Sequence, residues 1–352
     1  MKRHSLLVFV ASSLLAAGAL VADGSPPKHG LSIRETPHGV SVEVGGRRFA
    51  EYVIDQANKP FLWPVIGPTG KSMTRGYPMV DLPSEPAAQR DHPHQRGISF
   101  GLEDCNGNTW AEPASYAHLL ANEKTAAKAE ESIAKLGSIK HREFTRLDAR
   151  NEGDDSHAVV ESICEYRDPA GKVGLTERRR FTFRATDTTR MIDVDQDLRA
   201  GDKPVRLGDN KDAGLYIRVP VDMAVDSKQG GRIVNSEGLV DAAAWSKPAR
   251  WCDYHGPSGG ETLGIAILNH PSSFRHPTRW HVRPYGLFTA NPFAQRVFDN
   301  SLPDGAITLQ PGAAVQLRHR FVFHSGTEQA AGIEKAWQAY AKETPAVLTT
   351  RP

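Results

Sequence analysis

Short segments in which apolar and polar residues alternate constrain the fold of this chain more than any other feature. The clearest segment places Val40, Val42 and Val44 at every second position, and Gly45-Gly46 follows it directly. This is the spacing of a strand with one buried face, and two glycines are typical of a hairpin turn. Strand-like segments recur at Arg47–Ile54, Ala158–Tyr166, Arg179–Arg184, Met191–Leu198, Gly214–Val221, Thr262–Leu268, Ala306–Leu309 and Ala314–Phe323. The pattern predicts a mainly β protein built as an antiparallel β-sandwich.

Two segments have helical rather than strand-like spacing. Residues Tyr116–Leu136 are rich in Ala, Glu and Lys, and Glu328–Lys342 carries large apolar residues at i, i+4 and i+7. Both patterns predict amphipathic helices on the surface of the β core. The segment Lys59–Tyr77 is rich in proline and glycine and is expected to be an irregular loop. We therefore expect one or two peripheral helices around a single β-sandwich domain.

The N-terminus has the three parts of a secretory signal peptide. Lys2 and Arg3 supply the positive charge, residues 6–15 are mostly apolar, and Ala17-Gly18-Ala19 fits the small-residue rule for cleavage. The apolar run is shorter than the roughly 20 residues of a membrane anchor. We predict that residues 1–22 are a signal peptide. Residues 23–352 would then be exported to the periplasm or the medium, with no membrane contact after cleavage.

The charge balance argues against a nucleic-acid partner. The chain has 43 basic and 41 acidic residues, a net charge of +2, whereas nucleic-acid-binding surfaces are strongly basic. A small molecule or an oligosaccharide is the expected ligand. The sequence leaves the oligomeric state open.

Histidines are concentrated in two segments. The first is Asp91–Gly97, in which His92, His94 and Arg96 would share one face of an extended chain. Asp91 precedes His92 and could orient a neighbouring imidazole. The alternative is a surface loop with unremarkable histidines. We interpret the segment as a polar binding or catalytic site.

The second segment, His270–Arg283, follows a predicted strand. With the first segment it holds five of the 14 histidines of the chain, the three here being His270, His276 and His281. Aromatic and amide side chains lie within it or shortly after it, namely Trp280, Tyr285 and Asn291. Aromatic rings stack on the C–H faces of sugars, while polar groups bind the hydroxyls. A sugar site is the chemistry that this combination favours.

A third segment, Leu207–Gly214, carries Asp209, Lys211 and Asp212. These charges could belong to the site or to a solvated turn, and the sequence does not decide between the two. No phosphate-binding loop, dinucleotide-binding glycine motif, HExxH zinc motif or GxSxG serine motif is present.

Motifs spread over nearly the whole mature chain carry a family resemblance. They are Lys59-Pro60, Gly67–Gly70, Asp91–Gly97, Asn106-Gly107 with Trp110, Gly208–Asp212, Asp253–Gly256, Asn269–Pro271, Trp280–Gly286 and Asn291–Phe293. On these motifs the chain resembles the PmoA-like family of secreted bacterial proteins, which carries the label methane oxygenase and is otherwise a domain of unknown function. Gln95 stands where this family usually has His, and Asp212 where it usually has Glu.

The resemblance implies a β-rich exported domain whose architecture is similar to galactose-mutarotase-like sandwiches. It does not imply methane oxidation. The membrane-bound methane oxygenase subunit crosses the bilayer several times, and the mature chain has no apolar segment of the required length.

Three functional hypotheses follow. The first is an exported carbohydrate-active enzyme, of epimerase, lyase or hydrolase type, that uses histidine as general acid or base. Its catalytic candidates are His92, His94, His270, His281 and Asp209, with Asp91 as a second acidic partner. Its substrate-binding candidates are Arg96, Lys211, Arg283, Trp280, Tyr285 and Asn291.

The second hypothesis is a metal enzyme in which His92, His94 and His281 hold Zn, Cu or Fe. The neighbouring arginines disfavour a cation there, so no cofactor is expected, although a divalent metal remains an alternative. The third hypothesis is a sugar-binding module without catalysis, which needs the aromatic and basic side chains alone.

Overall fold

The computed structural model of the chain describes residues 29–152, 156–346 and 348. The predicted signal peptide, residues 1–22, lies outside the described residues. In the described part of the chain, no helix combines the length and the apolar character that crossing a membrane requires.

The chain is mainly β, as the alternating segments predict. The strands are β1 (Leu31–Thr36), β2 (Gly39–Val44), β3 (Arg47–Val53), β4 (Phe61–Val65), β5 (Ile98–Leu102), β6 (Ser138–Arg150), β7 (His157–Arg167), β8 (Val173–Ala185), β9 (Thr189–Ala200), β10 (Val205–Leu207), β11 (Ala213–Arg218), β12 (Arg232–Asn235), β13 (Trp251–Ser258), β14 (Glu261–Asn269), β15 (Arg279–Val282), β16 (Leu287–Asn291), β17 (Ile307–Leu309) and β18 (Ala314–Ser325). The α-helices are α1 (Ala117–Leu120), α2 (Glu123–Ala134) and α3 (Ile333–Tyr340). Short 3₁₀ helices span Ala87–Gln89, Pro113–Tyr116, Val225–Ser227 and Asp241–Ala244.

The strands form two large antiparallel sheets. The first sheet has the order β1-β2-β3-β4-β5-β11-β16-β15, and the second has the order β12-β13-β14-β18-β9-β8-β7-β6. A small pair, β10-β17, is separate from both. The predicted class, a mainly β antiparallel sandwich with peripheral helices, is confirmed.

The inner faces of the two sheets pack on each other through aromatic side chains. Phe49 of β3 meets Phe183 of β8 edge to face, with ring centroids 5.5 Å apart. Tyr52 of β3 meets Phe181 of β8 at 5.1 Å. One continuous apolar cluster contains these side chains and residues from both sheets. Because side chains alternate along a strand, the opposite faces of both sheets are left for loops, helices and cavities.

The segment Lys59–Tyr77 was predicted to be an irregular loop, and this prediction is wrong in part. It contains strand β4, in which Phe61, Leu62 and Val65 are buried. Pro64 falls where the pairing with β3 shifts register between Ala50 and Tyr52. Because the ladder is already irregular here, the missing N–H of proline breaks no regular hydrogen bond. The buried apolar side chains can therefore hold β4 in the sheet despite its two prolines.

The segment Tyr116–Leu136, predicted as one helix, is divided. Helix α1 ends before Asn122, whose side chain accepts a hydrogen bond from Lys124 N at 3.0 Å and caps α2. An asparagine at this position begins a new helix rather than continuing the old one. The second predicted helix is present as α3, which begins directly after Gly332 at φ 66°. Helix α3 packs on the outer face of the second sheet through Ile333 and Tyr340.

Candidate functional site

The outer face of the first sheet carries a cavity of about 430 Å³. Ser99, Tyr216, Thr289 and His281 lie in register across β5, β11, β16 and β15. Their neighbours along each strand point into the sandwich core, so this row faces outward. The cavity lies over this region and is lined by His92, His94, Gln95, Glu103, Trp110, Ala111, Ser115, Tyr116, Lys211, Asp212, Trp245, His281, Arg283 and Tyr285.

His281 is held in one tautomer by Trp245. The indole Nε1 of Trp245 lies 3.0 Å from His281 Nδ1, and an indole N–H can only donate. Nδ1 is therefore the acceptor, and the hydrogen of the neutral ring is on Nε2, which lies 3.9 Å from Asp212 Oδ1. Burial, reinforced by the positive charges of Arg283 and Lys211, lowers the pKa of His281 to about 3. At neutral pH this side chain is an uncharged hydrogen-bond donor.

His92 forms a dyad with Asp91. Its Nδ1 lies 2.6 Å from Asp91 Oδ2, while Asp91 Oδ1 accepts from Arg75 at 2.8 Å and from Arg218 at 2.7 Å. Burial opposes ionisation of Asp91, but the hydrogen bond from His92 and the charges of Arg218 and Arg75 outweigh it and hold the pKa of Asp91 below its ordinary value. An ionised Asp91 accepts the Nδ1 hydrogen of His92, which leaves Nε2 of the neutral ring with its lone pair.

The backbone and one aromatic ring fix the position of His92. The residue has φ 46°, a left-handed conformation that is uncommon for a residue with a side chain. Its imidazole lies parallel to the ring of Tyr285, with centroids 5.3 Å apart and an interplanar angle of 4°. Backbone strain of this kind is typical of functional sites when the surroundings over-determine it.

His94 is the third histidine of the cavity. Its ring lies 5.7 Å from that of His92, and its Nδ1 lies 2.9 Å from Ser115 Oγ. Burial, followed by the nearby charges of Lys59 and His92, holds the pKa of His94 well below its ordinary value. The structure therefore brings His92, His94 and His281 to one cavity, although the two segments that carry them are far apart in sequence.

Two carboxyl groups complete the polar lining. Burial raises the pKa of Glu103, and the negative charge of Asp212 raises it further. Burial also raises the pKa of Asp212, against the nearby charge of Lys211. Neither carboxyl is in the predicted catalytic set, although Asp212 belongs to the charged segment Leu207–Gly214 that the sequence left undecided. Carboxyl groups with raised pKa values are suited to proton transfer near neutral pH.

Two cations lie at the cavity without a carboxylate partner. The guanidinium of Arg283 is 5.7 Å from the ring centroid of Trp245 and 5.9 Å from that of Tyr285. Within the described residues, neither Arg283 nor Lys211 is in an ion pair at 4.0 Å or less. These groups are available to a ligand. Trp245 itself could not be predicted, because nothing in its local sequence distinguishes it from a core residue.

Asp209 is not part of this cavity. Its carboxylate accepts backbone hydrogen bonds from Gln295, Arg296 and Gly305, each at 2.8 Å. It anchors the loop that follows β16. For Asp209, the structure therefore agrees with the alternative in which the charges of Leu207–Gly214 belong to a turn rather than to the site. Of the charges in that segment, Lys211 and Asp212 line the cavity.

Asn291 and Trp280 have structural contacts rather than a place in the lining. The amide of Asn291 donates to the carbonyls of Asn210 at 2.9 Å and Lys211 at 3.0 Å, so it positions the loop before β11. Trp280 is fully buried in the sandwich core, and its indole donates to the Ala249 carbonyl at 3.0 Å. On β15, Trp280 and His281 point to opposite faces, so a strand that delivers His281 to the cavity takes Trp280 away from it.

Arg96 is also engaged elsewhere. It forms an ion pair with the buried Glu112 at 2.7 Å and lies over the Phe61 ring. The left-handed backbone at His92 breaks the extended geometry that would have placed Arg96 beside the two histidines.

His270 lies in a different cavity, of about 280 Å³, on the outer face of the second sheet. Its Nδ1 contacts Ser272 Oγ at 2.8 Å and its Nε2 contacts the Glu343 carbonyl at 3.2 Å. His276 stacks on Trp337 of α3 with centroids 6.2 Å apart. The second histidine segment therefore divides between the two sheets, and only its C-terminal part reaches the cavity with His92.

The predicted metal set does not converge. Within the described part of the chain, the one group of three or more potential ligands with all donor atoms within 4.8 Å of each other is Asp253, His255 and Glu328. His92, His94 and His281 line one cavity but do not meet this criterion.

A family model described as "Family of unknown function (DUF6807)" matches residues 39–338. The chain therefore belongs to this family. No curated protein matches the chain in sequence.

Several solved structures match parts of the chain weakly. One is the Slr1438 protein from Synechocystis sp. PCC 6803, with 7% identity and a TM-score of 0.29 over 51% of this chain and 66% of that one. Another, from Klebsiella pneumoniae subsp. pneumoniae MGH 78578, has the name "putative aldose 1-epimerase", with 10% identity, a TM-score of 0.31 and coverage of 56% and 58%. A third is a glycoside hydrolase family 97 enzyme from Pseudoalteromonas sp. strain K8, in complex with acarbose. It has 10% identity and a TM-score of 0.30, over 83% of this chain and 33% of that one.

This chain spans from a third to two thirds of the length of those structures. At these identities and TM-scores the likeness carries nothing about activity. The site itself must support any functional conclusion.

Proposed function

We propose that the protein is an exported carbohydrate-active enzyme that moves a proton on a sugar or an oxidised sugar. The observation that carries the proposal is the cavity on the first sheet, where His92 of the Asp91–His92 dyad, the tautomer-fixed His281 and two carboxyl groups with raised pKa values line one space. A site with both a proton acceptor and neutral donors is what acid–base catalysis requires.

His92 is the proposed general base. Because Nδ1 is committed to the ionised Asp91, the free Nε2 can accept a proton from a C–H or O–H group of the substrate. Asp91 would then stabilise the imidazolium that forms. Arg75 and Arg218 hold Asp91 in place from the other side, so the dyad is oriented before substrate binds.

His281 and the carboxyl groups are the proposed donors. The Nε2 hydrogen of His281 can bond to a carbonyl or hydroxyl oxygen on which negative charge develops. Glu103 or Asp212, when protonated, can return a proton to the substrate. The proton on His92 then passes to solvent and the carboxylate takes up another, so that the enzyme regains its starting state. Epimerisation and elimination at a carbon next to a carbonyl or carboxylate both use this pair of roles.

The rest of the lining suits a sugar. Trp110, Tyr116 and Trp245 offer aromatic faces, and Arg283 and Lys211 offer positive charge that no carboxylate of the described residues pairs with. Aromatic faces stack on C–H groups, and a guanidinium binds a carboxylate through paired hydrogen bonds. An oxidised sugar, such as a uronic acid or a keto sugar, is the substrate class that uses both.

The test is a screen for proton exchange. The purified protein is incubated in D₂O with a panel of aldoses, uronic acids and keto sugars, and NMR and mass spectrometry follow deuterium incorporation at carbon and new products. We expect exchange or conversion of at least one oxidised sugar. The His92→Asn variant should lose it, because asparagine keeps a donor for Asp91, tolerates positive φ and lacks Nε2.

The matched control is His38→Asn. His38 is an exposed histidine whose Nδ1 lies 3.1 Å from Asp55, so the same change is made in a second His–Asp pair far from the cavity. Full activity in His92→Asn would overturn the proposed base. Tight sugar binding by the wild type without any exchange or conversion would instead support the non-catalytic binding module.

Export is a separate part of the proposal and rests on residues 1–22. The full chain should appear outside the cytoplasm with a new N-terminus between about residues 20 and 23, as N-terminal sequencing would detect. Retention of the uncleaved chain in the cytoplasm would contradict it. Membership of the PmoA-like family also stays a proposal, supported by the motifs around Asp91–Gly97 and Trp280–Gly286.

A further inference from the structure

A second polar cluster lies in the other sheet and plays no part in the proposed reaction. Asp253 and His255 belong to β13, His324 belongs to β18, and Glu328 follows β18. Their exposed fractions are 0%, 5%, 1% and 6%. On β13, Cys252 and Tyr254 point into the sandwich core. Asp253 and His255 therefore point to the outer face, the face that α3 covers through Trp251.

A glycine makes this arrangement possible. His255, Gly264 and His324 are in register across β13, β14 and β18. A Cβ on Gly264 would lie 2.2 Å from His324 Cε1 and 2.4 Å from His324 Nε2. The imidazole of His324 thus lies across β14 in the space that a side chain would fill, and its Nε2 reaches Asp253 Oδ2 at 2.8 Å.

The atoms of the cluster converge on one point. His255 Nδ1 lies 2.8 Å from Asp253 Oδ1 and 3.4 Å from Glu328 Oε2. Donor atoms around a tetrahedral Zn²⁺ at its usual bond lengths are roughly 3.3–3.5 Å apart. The separation of His255 from Glu328 is in this range, the separation of His255 from Asp253 is shorter, and one ligand atom from each of the three residues lies within 4.8 Å of the others. A cation would take the place of the hydrogen that His255 Nδ1 shares with the carboxylates.

We propose that Asp253, His255 and Glu328 form a binding site for a divalent transition metal ion of the Zn²⁺ type, with His324 as the residue that positions Asp253. Two carboxylates match a 2+ charge, and an imidazole ligand favours Zn²⁺ over the oxygen-binding Ca²⁺ and Mg²⁺. A histidine bonded to the second oxygen of a metal-binding carboxylate fixes its orientation. This site is independent of the proposed carbohydrate chemistry.

The cluster has an entrance. Glu328 also lines an open cavity of about 690 Å³ between β12, β13 and the start of α3, together with Trp251, Gln329 and Gly332. Glu328 is thus the member of the cluster that borders this cavity, while Asp253 and His324 stay enclosed. This edge is the proposed route by which an ion enters.

The test is direct metal binding by the whole protein. After treatment with a chelator, the protein is titrated with Zn²⁺ by calorimetry, and bound metal is counted by elemental analysis after buffer exchange. We expect one equivalent of Zn²⁺ and a rise in Tm. Co²⁺ in the same site should give the visible absorption of a four-coordinate nitrogen–oxygen site. That readout needs no variant.

Two variants and one control locate the site. Glu328→Gln removes a ligand at the accessible edge and should weaken Zn²⁺ binding at least tenfold. Gly264→Ala displaces His324 and should weaken it about tenfold, in the range found when a ligand loses its orienting partner. Glu261→Gln makes the same amide change at an exposed residue of β14 and should leave binding unchanged.

The outcomes separate this site from the cavity on the first sheet. Unaltered Zn²⁺ binding in His92→Asn and His281→Asn is expected. Loss of binding in those variants would overturn the assignment, as would binding of less than about one tenth of an equivalent by the wild type. Binding of Ca²⁺ or Mg²⁺ but not Zn²⁺ would also overturn it, because His255 would then not be a ligand.

Discussion

The outer faces of the two sheets carry cavities of similar residue content but different charge pairing. On the second sheet, Arg320 contacts Asp193 and Glu343, the latter at 2.7 Å, and Arg184 also pairs with Asp193. Arg318 lies 3.8 Å from Asp195. These arginines already have carboxylate partners from the chain itself.

The cavity on the first sheet differs because, within the described residues, some of its charged side chains have no close ion-pair partner. Arg283 and Lys211 have no carboxylate within 4.0 Å among the described residues, and Asp212 has only a long contact of 3.9 Å, to His281. The two cavities therefore differ in the pairing of their charges rather than in their content of histidine, arginine and acidic residues. An ion network whose members already pair with each other has little left for a ligand.

The largest expected difference between the two cavities is in turnover. His281→Asn keeps an acceptor for the Trp245 indole but removes the Nε2 hydrogen, so kcat/KM should fall by ~10²–10³, as when one donor to a developing oxyanion is removed. His270→Asn makes the same change in the second cavity and should leave kcat/KM within about twofold of wild type. A comparable loss of kcat/KM in both variants would contradict the assignment of the reaction to the cavity on the first sheet.

The next difference is in folding stability. Arg320→Met leaves Glu343 without this cation and Asp193 with Arg184 alone, which should lower the free energy of unfolding by ~1.5–3 kcal/mol. Arg283→Met breaks no ion pair within the described residues and should change it by less than ~0.5 kcal/mol. Urea denaturation followed by fluorescence measures both. A larger cost for Arg283→Met would mean that this side chain is structural.

Arg283→Met should instead affect binding. Losing a charge-assisted hydrogen bond costs ~1.5–3 kcal/mol, which is ~10–100-fold in affinity at 1.4 kcal/mol per factor of ten. KM for a carboxylated substrate should rise by this factor, with a smaller change for the neutral sugar of the same configuration. Arg34→Met, at an exposed arginine of β1, is the control. Equal effects on charged and neutral substrates would argue against a carboxylate contact.

The last difference concerns one carboxyl group of the ion network. Burial, and then the negative charge of Asp193, raises the pKa of Asp195 from 3.8 to about 7. The folded protein therefore binds a proton here more tightly than the unfolded chain. This contribution to stability is complete below about pH 4 and is lost as the pH rises to about 7.

Asp195→Asn should remove this pH dependence. The difference in free energy of unfolding between the variant and wild type should rise from about pH 4 to about pH 7 and stay constant above that. Urea midpoints at several pH values measure the difference. Asp202→Asn, at an exposed position after β9, should give a flat difference. A flat difference for Asp195→Asn as well would mean that its carboxyl is ionised throughout.

Local pattern accounts for much of the fold. Every alternating segment that the sequence analysis identified overlaps a strand, and α3 lies within the segment predicted to be helical. Strand β4 was missed because Pro60 and Pro64 give it the composition of a loop. Strand β15 was not predicted for another reason. It has only four residues, and Trp280 and His281 are both buried on opposite faces, so the strand shows no alternation of apolar and polar residues.

The candidate site could be predicted only in part. The aspartate–histidine neighbours Asp91 and His92 are adjacent in sequence, so their contact was foreseeable from the chain. Trp245, Glu103 and Asp212 come to His281 from separate segments, and no local signal joins them. Asp209 and Asn291 looked functional because they are polar and near the motifs, but the backbone of neighbouring loops occupies their hydrogen-bonding groups.

The sequence by itself determined that this chain forms strands, which face of most of them is apolar, and that histidines are concentrated in two segments. Only the tertiary structure decided which sheet each segment joins. His270 directly follows β14 of the second sheet and His281 lies in β15 of the first, although they are 11 positions apart in the sequence. A period of two fixes which side chains are buried, whereas the partner of each strand depends on packing between distant segments.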